Sequence, residues 1–237
     1  MAISTEKFSG PRLYGYVARP ADGARSGVLI LPTIYGVNEF ARGYADILAN
    51  AGLSAAVWDI NSGQPLVTDY QECIRRARTL SDRGVAGMLK DWTDMMTSEM
   101  HLASIGVLGF CIGGRFALLK AANDKSIKAC ATAYPSIESP RLPNQELDAL
   151  ALASDIACPV HMLQPGNDHV THPETYETLK QALCKRKAPT IVQLHPEAEH
   201  GFMHREKPEE NRVAAAIASP QVVAFLGACL ARSAAAT

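Results

Sequence analysis

A cysteine occupies a glycine-rich turn near the middle of this 237-residue chain. Cys111 stands in the run Gly109-Phe110-Cys111-Ile112-Gly113-Gly114, preceded by an apolar stretch and followed by good helix formers. These flanks predict a buried strand that ends at the turn and a helix that begins after it. The pattern Gly-x-Cys-x-Gly is a thiol variant of the Gly-x-Ser-x-Gly nucleophile elbow. The positive end of the following helix would favour a thiolate at Cys111.

Two other interpretations of this motif compete with a nucleophile. A free cysteine is commonly a small buried hydrophobic residue, and Cys111 would then have no chemical role. Alternatively, Gly109, Cys111 and Gly114 occupy the positions of a G-x-G-x-x-G dinucleotide fingerprint. A cysteine at the middle position would block the close approach of a pyrophosphate to the backbone. We therefore favour the nucleophile.

A carboxylate and a histidine follow later in the chain. Asp168 ends the turn Pro165-Gly166-Asn167-Asp168 after one predicted strand, and His200 follows the last predicted strand. Nucleophile, acid and histidine in this order are typical of α/β-hydrolases. We predict a triad in which His200 takes the proton of Cys111 and Asp168 orients the imidazole. Asp148 and Asp155 are rival acids, but neither lies in a turn directly after a strand.

Backbone amides are expected to stabilise the oxyanion that forms when a nucleophile attacks a carbonyl group. In this fold, one amide belongs to the residue after the nucleophile and the other to the loop after an early strand. These positions predict an oxyanion hole built from Ile112 and Ile34.

Predicted strands and helices alternate along the whole chain. Strands are predicted at residues 13–18, 27–32, 53–58, 104–110, 127–134, 158–164 and 190–194. Helices are predicted at residues 39–50 with Asn38 as N-cap, 115–122, 146–154, 173–185, and 211–230 with an interruption at Pro220. Residues 69–96 are predicted to form two helices or one kinked helix, with the break near residues 84–87. This alternation predicts an α/β fold, namely one α/β-hydrolase domain over residues 1–237 with a mostly parallel sheet and helices on both faces.

Composition limits the possible binding partners and the expected cellular location. With 47% hydrophobic and 20% charged residues, the chain can bury a substantial core. A net charge of -1 argues against a nucleic-acid partner. We expect no membrane partner and a cytoplasmic location, because the N-terminus lacks an apolar run and no stretch approaches a membrane span. The six cysteines lack paired spacing, so we expect neither disulfides nor a metal site. The oligomeric state stays open.

The motifs resemble those of the dienelactone hydrolases, also called carboxymethylenebutenolidases. The resemblance rests on the elbow around Cys111, on residues 165–168 and 197–202, and on the loop Ile34-Tyr35-Gly36-Val37-Asn38, and it extends from about residue 27 to residue 225. It implies a Cys-His-Asp hydrolase without cofactor or metal. The substrate class that it implies is an unsaturated lactone, such as the dienelactone that is opened to maleylacetate in the degradation of chlorinated aromatic compounds.

The sequence also departs from this family. Family members usually carry a glutamate that acts on the thiol where Thr33 stands here, and an arginine where His204 stands, with Arg205 beside it. A second arginine that binds the substrate carboxylate has no secure counterpart among Arg75, Arg76 and Arg78. These departures leave the substrate open. The candidate substrate-binding residues are Thr33, Tyr35, Phe110, Phe202, His204 and Arg205.

The nucleophile restricts the substrate further. A cysteine thiol has an ordinary pKa of about 8.5, so a thiolate leaves a tetrahedral intermediate more readily than an alkoxide does, and an alkyl ester would expel the sulfur again. Enol lactones, aryl esters and thioesters have better leaving groups and fit a Cys111 nucleophile. An alternative function is a ligand-binding or redox-sensing protein with a reactive Cys111 and little turnover. The presence of Asp168 and His200 argues against that alternative.

Overall fold

The computed structural model describes residues 2–10 and 12–234, and its centre is a sheet of eight strands. The strands are β1 (Ile3–Ser9), β2 (Tyr14–Pro20), β3 (Ser26–Leu31), β4 (Ser54–Trp58), β5 (Ser104–Phe110), β6 (Ile127–Ala133), β7 (Val160–Asn167) and β8 (Thr190–Glu199). Their order is β1-β2-β4-β3-β5-β6-β7-β8. The pairs from β4 through β8 are parallel, whereas β1 pairs with β2, and β2 with β4, in antiparallel orientation.

Seven α-helices connect or follow these strands in the described part of the chain. They are α1 (Glu39–Asn50), α2 (Tyr70–Ala77), α3 (Asp82–Ser98), α4 (Ile112–Asn123), α5 (Ala149–Leu152), α6 (Pro173–Cys184) and α7 (Glu209–Ala234). A 3₁₀ turn, Ala153–Asp155, extends α5.

The helices cover the sheet on both faces. On one face, Trp92 of α3, Phe116 of α4 and Leu179 of α6 share a buried cluster with sheet residues. On the other face, Tyr44 of α1 and Leu226 of α7 belong to a second cluster. Burying each large apolar side chain stabilises the fold by about 1.5–3 kcal/mol. The predicted fold class, a mostly parallel sheet between helical layers, is therefore confirmed.

Helix α7 is long and apolar enough in Glu209–Ala231 to cross a membrane, by length and composition alone. The expectation that no stretch approaches a membrane span was wrong in this respect. Ala218, Val222 and Leu226 of this helix are buried in the cluster against the sheet. Core packing therefore accounts for part of its apolar composition.

Several element boundaries differ from the prediction. Helix α1 has the predicted limits, and the side chain of its N-cap Asn38 accepts a hydrogen bond from the Ala41 amide at 3.0 Å. Two helices occupy the region predicted at 69–96, but the break between them lies at residues 78–81 and not at 84–87, because α3 begins after its N-cap Ser81 and runs through residues 84–87. Pro220 does not interrupt α7. Strand β1 was not predicted, and β8 extends beyond the predicted strand to Glu199.

A buried ion pair holds the backbone of one residue, Leu147, in the segment between β6 and α5. Arg115 and Asp82 have side chains that are each 2% exposed, and they make two hydrogen bonds of 2.5 and 2.9 Å. Arg115 also donates to the Leu147 carbonyl at 2.9 Å, and Asp82 accepts from the Leu147 amide at 2.8 Å. Removing one partner of such a buried pair typically costs about 3–5 kcal/mol. Residue 147 is thereby tied to the starts of both α3 and α4.

Candidate active site

Cys111 lies in the sharp turn between β5 and α4. Its backbone has φ 58° and ψ -123°, a region that is sparsely populated by residues other than glycine. The Cys111 amide donates to the carbonyl of Ala133 at 3.1 Å, and the Cys111 carbonyl accepts from the Ser136 amide at 2.9 Å. The end of β6 and the residues after it therefore hold the strained turn. This geometry matches that of a nucleophile elbow.

Two glycines of the motif allow this turn to pack closely. A Cβ atom at Gly109 would lie 2.1 Å from the carbonyl oxygen of Gly113, and a Cβ at Gly113 would lie 2.0 Å from that of Leu31. Any residue larger than glycine is therefore excluded at both positions. The second contact brings the end of β3 against the start of α4, which places the loop after β3 beside Cys111.

The structure brings the three predicted triad residues together. His200 follows β8, and its Nδ1 atom lies 3.0 Å from each carboxylate oxygen of Asp168, which follows β7. The Ser136 hydroxyl lies 3.1 Å from Cys111 Sγ and 3.5 Å from His200 Nε2. An ionised carboxylate can only accept, so His200 Nδ1 carries a proton and its Nε2 atom faces the thiol side.

Asp168 is held by several donors besides His200. Its Oδ1 atom accepts the amides of Val170 at 2.8 Å and Thr171 at 2.9 Å, and its Oδ2 atom accepts the Tyr176 hydroxyl at 2.7 Å. Burial opposes ionisation, but the hydrogen bonds from His200, Thr171 and Tyr176 hold the pKa of Asp168 below its ordinary value. The carboxylate therefore stays charged and fixes the orientation of the imidazole.

The histidine and the thiol shift each other's ionisation. Burial alone would lower the pKa of His200, but its hydrogen bond to Asp168 and its interaction with Cys111 raise that pKa to about 9. Burial likewise opposes a thiolate at Cys111, but His200, the Ser136 hydroxyl and the Ile112 amide together lower the pKa of the thiol. The arrangement favours a thiolate at Cys111 paired with an imidazolium at His200.

This pairing predicts selective alkylation of Cys111. Iodoacetamide at neutral pH should label Cys111 before the other cysteines, because the rate follows the thiolate fraction and falls only as the pH drops through the lowered pKa of Cys111. Burial raises the pKa of Cys158 to about 11 and that of Cys130 well above its ordinary value. Mass spectrometry of partially labelled protein measures the order. Earlier labelling of Cys184, which is exposed, would contradict this expectation.

A cavity of about 130 Å³ lies beside Cys111. Its walls come from the loop after β3, from α2, from the segment after β6, and from the loops after β7 and β8. The residues predicted for catalysis or binding that line it are Thr33, Ile34, Tyr35, Cys111, Ile112, His200, His204 and Arg205. No group of three or more histidine, cysteine or acidic side chains in the described residues is arranged to hold a metal ion.

Phe110 and Phe202, which were predicted to contact substrate, lie elsewhere. Both are fully buried and neither lines the cavity. The ring of Phe110 packs against Phe40 and Tyr44 at centroid distances of 5.0 and 5.2 Å, and Phe202 packs against Tyr134 at 5.4 Å. Both phenylalanines belong to the core between the sheet and the helices α1 and α7, so their predicted role is corrected to packing.

The cavity wall near His200 carries a neutral side chain, His204, and a cationic one, Arg205. Burial and the nearby charges of Arg205 and His200 lower the pKa of His204 to about 4, so its imidazole is neutral at pH 7. Its Nδ1 atom lies 3.3 Å from the Tyr134 hydroxyl. Of His204 and Arg205, both of which were predicted to contact substrate, only Arg205 therefore contributes a positive charge to this wall.

Sequence reasoning left the second arginine undecided, and the structure separates the three candidates. Arg75 and Arg76 both form ion pairs with Glu72, whereas Arg78, directly after α2, lines the cavity. Reasoning from the sequence also missed Ser136, Glu138 and His169 in the walls. These residues lie in loops without hydrophobic periodicity, so the sequence carries no local signal for them.

A strained cysteine at an elbow, with an acid and a histidine at the ends of later strands, defines an α/β-hydrolase. The chain matches the model of the Dienelactone hydrolase family over residues 13–230, and it belongs to that family. It is a hydrolase of carboxylic esters or lactones.

Individual relatives agree with this assignment. The chain is 28% identical to a carboxymethylenebutenolidase of Rhodococcus opacus over 207 residues, which cover 86% of this chain and 81% of that protein. It is 26% identical to a putative carboxymethylenebutenolidase of Escherichia coli (strain K12) over 218 residues, covering 87% and 79%. A solved structure of a putative dienelactone hydrolase from Klebsiella pneumoniae superposes with a TM-score of 0.83 at 25% identity, covering 96% of this chain and 99% of the other.

Proposed function

We propose that this protein opens enol lactones and hydrolyses related activated esters through an acyl-thioester on Cys111. The observation that carries the proposal is the contact chain beside the cavity, from Cys111 through Ser136 and His200 to Asp168. Among the cysteines, Cys111 alone combines an elbow turn, a lowered pKa and a position in the cavity wall within the described residues.

The reaction follows from these positions. The Cys111 thiolate attacks the lactone carbonyl carbon, and the amides of Ile112 and Ile34 receive the developing oxyanion. As the tetrahedral intermediate collapses, the ring C–O bond breaks and the leaving enolate oxygen takes the proton from His200 Nε2. Water then attacks the thioester, with neutral His200 as base, and the thiolate is expelled to restore the resting pair. Asp168 stabilises the imidazolium in both steps.

The cavity walls support a substrate that carries a carboxylate. Arg78 and Arg205 both line the cavity, and each can bind a carboxylate with two parallel hydrogen bonds. The relatives are named carboxymethylenebutenolidases, and such a name describes a butenolide with a carboxymethylene substituent. We therefore infer an unsaturated lactone with an ionised acid group as the substrate class of this chain.

A substrate panel tests the function and the carboxylate site together. The wild-type enzyme should turn over a carboxylated enol lactone and an uncharged aryl ester. Arg78→Ala and Arg205→Ala should each raise KM for the carboxylated lactone about tenfold or more, because a hydrogen bond to a charged group contributes about 1.5–3 kcal/mol. Both variants should leave KM for the aryl ester within about twofold, since that substrate has no charge to lose.

Arg75→Ala is the matched control, because Arg75 is exposed, pairs with Glu72 and does not line the cavity. Its kinetics should equal those of the wild type on both substrates. No turnover of any activated ester, with saturable binding only, would overturn the proposal and favour a ligand-binding or redox-sensing protein. An equal rise in KM for both substrates in the arginine variants would contradict the carboxylate-binding site but not the hydrolase activity.

A further inference from the structure

We propose that Ser136 is a further catalytic residue, whose hydroxyl donates a hydrogen bond to the Cys111 thiolate and relays the proton between Cys111 and His200. The inference rests on the proposed function, because it assumes that Cys111 is the nucleophile. It assigns a chemical role to a segment that the sequence marks only as polar and rich in proline.

The contacts of the hydroxyl define its role. Ser136 is 6% exposed, and its Oγ atom lies 3.1 Å from Cys111 Sγ and 3.5 Å from His200 Nε2. A hydroxyl has one proton to donate and lone pairs to accept with. A thiolate can only accept, whereas an imidazolium can only donate. The proton of Ser136 therefore points to the sulfur in the resting pair, and a lone pair of its oxygen faces Nε2.

The backbone around Ser136 holds this hydroxyl in place. The Ser136 amide donates to the Cys111 carbonyl at 2.9 Å, so the serine is bound directly to the elbow. The next amide, that of Ile137, donates to the Thr171 hydroxyl at 3.1 Å, and that hydroxyl donates to the Pro135 carbonyl at 2.8 Å. Thr171 also donates its amide to Asp168. The serine is thus fixed relative to both the nucleophile and the acid.

The hydroxyl of Thr33, which also lies in the cavity wall, makes a different hydrogen bond. Thr33 is buried, and its Oγ1 atom accepts a hydrogen bond from the Tyr35 amide at 3.3 Å. Its oxygen is therefore used within its own loop. Ser136, in the segment after β6, has the hydroxyl that contacts both Cys111 and His200.

The relay balances without any further reactant. Starting from the neutral pair, the S–H bond of Cys111 breaks as an O–H bond forms on Ser136. At the same time, the original O–H bond of Ser136 breaks and an N–H bond forms at His200 Nε2. The serine ends with one proton, as it began, and the products are the thiolate and the imidazolium.

Other titratable groups also face the thiolate. His200 interacts with it from the loop after β8, and three tyrosines interact with it from the loop after β3, the end of β6 and α6, namely Tyr35, Tyr134 and Tyr176. Burial raises the pKa of each tyrosine, so all three are neutral where the thiol titrates. Of the charged side chains in the cavity wall, Arg78, Arg205 and Glu138 remain unchanged in the variants tested below.

The test is the titration of Cys111 in serine variants, followed by the ultraviolet absorbance of the thiolate and by the rate of iodoacetamide labelling. Ser136→Ala should raise the apparent pKa of Cys111 by about one unit, because the thiolate loses a hydrogen bond that its protonated form needs less. Labelling on the acidic side of the titration should be about tenfold slower. Ser136→Thr, which keeps the hydroxyl, should titrate as the wild type does.

Ser98→Ala, an exposed serine in α3, controls for a general effect of losing a hydroxyl. Should Ser136→Ala fail to fold, as judged by its thermal melting, the pair Ser136→Thr and Ser136→Val makes the same comparison at equal volume. Coincident titrations with and without the hydroxyl would overturn the inference. Turnover of an aryl ester by the wild-type enzyme, measured separately, tests the proposed hydrolase, so the two failures are distinguishable.

Discussion

Cys111→Ala is expected to lower kcat/KM for an activated ester by about 10⁴-fold or more. Alanine removes the sulfur on which we propose the acyl intermediate forms, so that only the oxyanion donors and substrate binding would remain. Loss of the nucleophile in comparable triads costs several orders of magnitude. Steady-state kinetics on an aryl ester measure the loss, and denaturation of the variant should remain cooperative.

The matched control is Cys184→Ala. Cys184 is exposed at the end of α6 and takes no part in the cavity wall. Its replacement should leave kcat and KM at their wild-type values. Substantial turnover by the Cys111 variant would show that another residue is the nucleophile.

Asp168→Asn is expected to reduce kcat by about 10³-fold with a modest change in KM. The asparagine amide keeps the volume of the carboxylate but removes its charge, and its NH₂ group would oppose one of the donors now facing Asp168. The imidazole would lose the acceptor that holds its proton on Nδ1, as in other triads. The pKa of His200, now about 9, should fall in the variant, because Asp168 raises it.

The pH dependence of kcat/KM checks this account. The change that reports deprotonation of His200 should move to lower pH in Asp168→Asn. Asp155→Asn is the control, because Asp155 is an exposed carboxylate in the turn after α5 and was one of the two rival acids in the sequence. Equal loss of activity in both variants, or an unchanged pH profile in Asp168→Asn, would contradict the assignment of the acid.

The sequence carried enough local information for most elements. Helix α1 has an N-cap at Asn38 and a regular apolar face, so both of its ends were predicted. Strand β1 contains few apolar residues and is mostly exposed, so it has no hydrophobic pattern that predicts a strand. It forms by pairing with β2. Glycines 84 and 87 suggested a break, but Val85, Leu89 and Trp92 bury one side of α3, and this packing outweighs the low helix propensity of glycine.

Site residues could be predicted from the sequence only where they lie within a recognisable local motif. Cys111 has a glycine two residues away on each side, and His200 directly precedes Gly201. Both follow strands, so their positions could be predicted from chain order. Phe110 could not be assigned in this way, because every residue of β5 is buried and the pattern does not distinguish a cavity wall from the core. Ser136 and Arg78 reach the cavity only through tertiary packing, in which segments distant in sequence meet.

The buried pair of Arg115 and Asp82 has a consequence for selectivity. Because it holds the Leu147 backbone, a bulky ligand that displaces this backbone has to separate two desolvated charges. The wall formed by the short helix α2 contains no comparable buried ion pair in the described residues. We therefore expect the wall at residues 142–145, close to Leu147 in the chain, to set the upper limit on substrate size, while variation in substrate shape is accommodated at α2. Enlarging the range of acceptable esters would then begin with residues of α2, such as Ile74, rather than with residues 142–145.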